Sequence, residues 1–173
     1  MKRAVTKSIS LLLVGILLIG VMNLSVCAES TQQIDKPTTG VESAVEGYGE
    51  GIYSEPSMTR SSTLINRISL TIAQVDNRGL RVNFATGGIA VMAKIGGKDI
   101  TIERWENGKW VTVCQTDRIA ENVSFHSGSY FSPTNLPAGY YYRATILHYA
   151  KEQGWFFPGS QEFYNETTYI LLQ

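Results

Sequence analysis

The sequence predicts an all-β fold built as a two-sheet sandwich, and three observations predict it. Apolar and polar residues alternate with period two in several segments beyond residue 60, as half-buried strands require. No stretch sustains a 3.6-residue apolar period, so no amphipathic helix is expected. Gly, Asn, Asp and Pro interrupt the alternation at short intervals, which leaves about seven short strands in roughly 110 residues, the pattern of a sandwich.

Taken in order, Ile68, Leu70 and Ile72 alternate with Ser69, Thr71 and Ala73, and Leu80, Val82 and Phe84 with Arg81 and Asn83. Ile100 and Ile102 alternate with Thr101 and Glu103, and Val111 and Val113 with Thr112 and Cys114. Tyr142, Ala144 and Ile146 alternate with Arg143, Thr145 and Leu147, and residues 123–125 and 169–172 add shorter candidates. Gly87-Gly88 and Gly96-Gly97 read as turns, since no helix follows either pair to complete a phosphate cradle.

The clearest local element is the hairpin around Asn107-Gly108. Both central residues of a type I′ turn need positive φ, which Asn-Gly supplies. The turn sets Glu106 opposite Lys109, Trp105 opposite Trp110 and Glu103 opposite Thr112. Ile100, Ile102, Val111 and Val113 then form the core stripe, and the two tryptophans meet on the other face, where cross-strand side chains interact directly.

Leu136, Gly139 and Tyr142, spaced by threes ahead of an alternating strand, resemble the tyrosine corner of immunoglobulin-like and fibronectin type III-like sandwiches. The resemblance implies that the Tyr142 hydroxyl bonds back to upstream backbone and that residues 142–149 are strand F, with the hairpin before it strands C and C′. The B–F disulfide of antibody domains is missing, because Phe84 and Ala144 occupy its places; fibronectin type III domains lack it too. Over residues 85–150 the chain resembles a group of small secreted proteins from Gram-positive bacteria that carry a domain of unknown function. The shared motifs are Ile95-Gly96 with Ile100, Trp110 with Val113, and residues 139–144. That resemblance implies a sandwich and export and passes on no activity and no catalytic residue.

The first 28 residues read as a signal peptide. Lys2, Arg3 and Lys7 precede an apolar run at residues 11–22, and Val26-Cys27-Ala28 is a small-residue cleavage site, so cleavage is expected between Ala28 and Glu29. A run of about a dozen residues falls short of the ~20 that cross a bilayer, so no membrane span is expected after cleavage. The alternative is a lipoprotein signal in which Cys27 is lipidated, although Val26 stands where such signals carry a small residue. Residues 29–60 hold six acidic and two basic residues among Gly, Ser, Thr and Pro, and are expected to be a disordered linker. Residues 61–173 are the expected sandwich domain.

Charge and cysteine content restrict function further. The chain carries 15 basic and 15 acidic residues; removal of residues 1–28 leaves 12 against 15, a net charge of −3. A weakly acidic domain without a basic cluster does not suit nucleic acid, where phosphate neutralisation dominates affinity. It suits anionic membrane surfaces no better. Cys114 is then the sole cysteine and reads as a small apolar residue on a strand. His126 and His148 lack the spacing of zinc ligands on one element. Asp99, Glu103, Asp117, Glu121 and Glu162 are scattered, and Asp76-Asn77 with Asp117 lacks the repeat of a calcium loop. No catalytic residue, metal site or cofactor is expected.

Aromatic residues crowd the last third of the chain. Strand parity puts Trp105, Trp110, Tyr141 and Tyr149 on the face opposite the core, which makes them the candidate binding face for a cell-wall glycan or an extracellular protein. The competing reading is that the segment around Trp155 covers the tryptophans, and the size of the apolar patch favours coverage. The expected function is a secreted, non-enzymatic binding domain, with a structural, envelope-associated protein as the alternative.

Overall fold

A computed structural model describes residues 35–53, 63–154, 156 and 158–173. The signal peptide with Cys27, Ala28 and Glu29, part of the expected linker, and Trp155 lie outside the described residues. The described chain is all-β and antiparallel. Its strands are β1 (Tyr48–Glu50), β2 (Ile65–Val75), β3 (Gly79–Glu106), β4 (Lys109–Phe131), β5 (Tyr141–Lys151), β6 (Ser160–Glu166) and β7 (Ile170–Leu171). They form one curled sheet in the order β1-β2-β3-β5-β6, with β4 also on β3 and β7 also on β5. A 3₁₀ turn at Asp76–Arg78 joins β2 to β3. Among the described residues no helix is long and apolar enough to cross a membrane.

The strands expected at Leu80 and at Ile100 are one strand of 28 residues, and those expected at Val111 and Val123 merge into β4. Both glycine pairs lie inside β3 and are not turns. They sit beside register shifts instead. One falls between Gly87 and Met92 against β4, and another between Gly97 and Ile100. Bulges of this kind bend and twist a strand without ending it. At Gly96 (φ 152) an added Cβ would lie 2.1 Å from the Arg118 carbonyl oxygen, so only glycine fits there.

Because β3 bends, its two halves have different neighbours. Residues 79–88 pair with β2, and residues 94–104 pair with β5, while β4 follows β3 along both. The inner faces of the halves meet in one core: Leu70, Ile72, Leu80, Val82 and Phe84 pack with Ile100, Ile102, Tyr142, Ala144 and Ile146. A second cluster gathers Leu64, Ile65, Ile68, Met92, Ile95 and Ala150.

His148 follows Ile146 and precedes Ala150 on the inward parity of β5, between the clusters, and is fully buried. The Thr86 hydroxyl donates to the Gly96 carbonyl at 2.9 Å, so its oxygen accepts from His148 Nδ1–H at 2.7 Å. That fixes the neutral tautomer and leaves His148 Nε2 buried without a hydrogen-bond partner. Burial pushes the His148 pKa down to about 4.

The expected linker over residues 29–60 contributes structure. Tyr48–Glu50 pairs with β2, and the Ile52 and Thr168 amides donate to Glu166 and Glu50 carbonyls. The segment therefore joins the two ends of the curled sheet. Its glycines look like linker composition but serve close approach: a Cβ on Gly49 would lie 2.5 Å from the Thr168 carbonyl oxygen. Gln161 on β6 adds a second tie, accepting from the Leu64 and Ile65 amides at 2.7 and 3.0 Å.

Leu136 is buried, Gly139 has φ 81, and the fully buried Tyr142 donates its hydroxyl to the Pro137 carbonyl at 3.1 Å. Removing that hydroxyl deletes a part-buried hydrogen bond, so Tyr142→Phe is expected to lose about 1 kcal/mol in urea unfolding; an unchanged midpoint contradicts the contact's role. His148 gives a pH signature. Its folded pKa lies below the unfolded value of ~6.5, so the unfolded state binds more protons between about pH 6.5 and 4, and stability falls as pH falls through that window. The full effect is about 3 kcal/mol. His148→Gln is expected to flatten that part of the stability–pH curve, and parallel curves for the two proteins contradict the assignment.

Candidate functional site

The hairpin turn has Asn107 at φ 50 and Gly108 at φ 76, and it pairs Glu106 with Lys109, Trp105 with Trp110 and Glu103 with Thr112. A one-residue shift follows, because Ile102 opposes Cys114 and Val113 is left over. The core stripe is therefore uneven. Ile100 and Ile102 are fully buried, while Val111 and Val113 are only half-buried. Arg104 pairs with Tyr142 and lies over the Tyr140 ring, and it makes an ion pair with Glu106. Trp105 takes the opposite face.

On that face four aromatic rings form a chain. Trp105 meets Trp110 at 5.2 Å and 67°, Trp110 meets Tyr169 at 6.0 Å, and Tyr169 meets Tyr141 at 5.6 Å and 83°. The first and last pairs are favourable edge contacts, and the middle pair is tilted at 47°. Arg143 on β5 lies 4.5 Å from the Trp110 ring centre. Its Nε and Nη1 donate to Glu103 and Glu166, each at 2.8 Å, and Tyr164 donates to the same Glu166 oxygen at 2.9 Å. Burial, then the bond to Glu166, pushes the Tyr164 pKa up to about 12. The arginine is thus held between two carboxylates and an indole. Stacking and hydrogen bonding are the interactions this surface offers.

Residues 36–43 lie across the face. The Trp110 indole N–H donates to Thr39 Oγ1 at 3.2 Å. The Tyr169 amide donates to the Val41 carbonyl at 2.8 Å, and the Ser43 amide to the Tyr169 carbonyl at 2.9 Å, a parallel bridge centred on Glu42. Pro37 is buried, and Lys36 pairs with Glu42 within electrostatic reach of Tyr169 and Tyr141.

Of the four residues predicted for the face, Trp105 is 3% exposed and unavailable to a partner, whereas Trp110 and Tyr141 are half-buried and adjoin one ring chain. Tyr149 belongs elsewhere. Eight strand residues, about 27 Å, separate it from Tyr141, and it sits under Lys98, whose Nζ is 3.6 Å from its ring centre and 2.8 Å from Glu162. Sequence reasoning passed over Arg143, Glu103 and Thr39. Parity alone places Arg143 beside Tyr141 and Glu103 beside Trp105, so those two were within reach; Thr39, inside apparent linker composition, was not.

His126 stacks edge-on against Phe84 at 5.6 Å. Cys114 is half-buried and unpaired, and burial raises its thiol pKa. Comparison with protein-family models, with curated proteins and with solved structures found no match.

The buried Trp105 and the half-buried Trp110 are expected to respond differently to truncation. Trp105→Ala opens a cavity and is expected to cost about 3–5 kcal/mol, with Trp110→Ala costing clearly less. Equal losses in denaturant unfolding contradict this placement.

Proposed function

We propose that the chain is a secreted, non-enzymatic binding module that acts through the outer face of β4 and β5, around Trp110 and Tyr141, on a cell-wall glycan or an extracellular protein. Export rests on the basic, apolar and small-residue order of residues 1–28. The curled sheet is read as an immunoglobulin-like sandwich in which β3 and β4 run through both layers; the shared core and the Tyr142 contact support that reading. The observation that carries the binding role is the assembly of the half-buried Trp110 and Tyr141 with Arg143 around Tyr169, which residues 36–43 bury, on one face, with an indole N–H and a backbone amide–carbonyl pair at its rim. Aromatic and arginine side chains so placed are the anchors of many recognition surfaces.

A structural, envelope-associated role is the second reading, favoured by the burial of Trp105 and the cover of residues 36–43. Capture decides between them. The mature chain is immobilised and exposed to cell-wall polysaccharide and to extracellular protein. Under the binding reading Trp110→Ala loses capture while keeping its fold, whereas capture by neither form, or equally by both, leaves the structural reading.

A further inference from the structure

Resting on that reading of the outer face, we propose that it is a peptide site for an extended, proline-bearing segment, and that residues 36–43 are its resident occupant, displaced when a matching segment binds. The chemistry at the rim is what selects a peptide. Tyr169 offers both its amide and its carbonyl outward, and both are used by backbone groups two residues apart, Val41 and Ser43. That is the spacing of a strand added to an exposed edge, where main-chain bonds supply affinity and neighbouring side chains supply specificity. The Trp110 indole N–H marks a third point by holding the Thr39 hydroxyl. Pro37 is buried upstream of it, next to Lys36 near the Tyr169 and Tyr141 rings. A buried, rigid, pre-extended proline is a recurrent feature of bound peptides because little entropy is lost.

The occupant is only lightly held. Most residues of the 36–43 segment are exposed, and its ties to the face are the Thr39 contact and the two Tyr169 backbone bonds. β1 follows it and pairs with β2 through its own ladder, so release of residues 36–43 gives up the Ser43 hydroxyl's bond to the Tyr48 carbonyl and leaves the β1–β2 pairing in place. Tethering still protects the site. An intramolecular segment acts at an effective concentration in the mM range, so a free copy of the same sequence binds the intact chain weakly.

Gly40→Val in the full chain separates occupant from site. Gly40 has φ 92, which a β-branched residue resists. Its added Cβ would stand 3.4 Å from the Tyr169 ring, and with the γ-carbons beyond it the side chain pushes the segment off the face while the backbone strain falls on the segment itself. A synthetic peptide of residues 35–45 is titrated against wild type and Gly40→Val by tryptophan fluorescence. The expected result is binding at least ~10-fold tighter to the variant, weakened when the peptide carries Pro37→Ala or Thr39→Ala. Equal affinity for both proteins, or no binding to a folded Gly40→Val chain, overturns the proposal. If the variant does not fold, hydrogen exchange on wild type decides. With excess peptide the Ser43 amide is expected to lose protection while the Tyr169 amide keeps it, and no change at either amide overturns the proposal. Glycan capture that depends on Trp110, without peptide binding, overturns the peptide site and leaves the binding module standing; the absence of both removes both.

Discussion

The structure depends on one strand serving both halves of a curled sheet. β3 runs for 28 residues, pairs with β2 in its first half and with β5 in its second, and must bend between them without losing β4. Strand continuity through a bend needs somewhere to put the strain and something to fix the angle. Register shifts flanking the glycines take up the first need. The second is met by Thr86, which binds the Gly96 carbonyl on the far side of the bend and His148 on β5. The link is fully buried, and hydrogen bonds in such a low-dielectric setting are strong enough to fix one geometry. The unpartnered Nε2 of His148 is the cost of that arrangement.

The outer face follows from the same bend. The second half of β3 and β5 pair with Glu103 opposite Arg143, which sets the guanidinium between Glu103 and Glu166 of β6. With side-chain exposures of 13–19%, this ion-pair group is shielded enough to hold its geometry, and it keeps Arg143 over Trp110. Surface pairs such as Lys94 with Glu121 contribute little by comparison. The N-terminal segment then completes the face, using backbone groups of Tyr169 that no strand pairs.

What was legible in the sequence was local. The Asn107-Gly108 turn specified the register of Trp105 and Trp110, since turn chemistry acts over four residues. The inward parity of Tyr142 and Ile146, and the exposed-side parity of Tyr141, needed only the alternation of a strand. Long-range placement was hidden. Glycines that permit close approach, at positions 49 and 96, have the same composition as glycines that make linkers or turns, so β1 was assigned to a linker and β3 was divided. The leftover Val113 shifted the partners of the hairpin by one residue beyond Glu103, which no propensity signals. The segment that covers Trp110 carries no apolar period at all, because it docks through one hydroxyl and main-chain bonds and buries a single proline.

Whether the buried Thr86 link sets the bend, and through it the two halves of the sheet, is decided by Thr86→Val in urea. The substitution keeps the shape and removes the hydroxyl, leaving the Gly96 carbonyl and the His148 Nδ1–H unpaired in the core. The account predicts a midpoint lowered by the equivalent of about 2–4 kcal/mol for the two orphaned groups, with far-UV circular dichroism and tryptophan emission moving together as one transition. A midpoint equal to that of the wild type, or a tryptophan transition that shifts apart from the backbone signal, contradicts it.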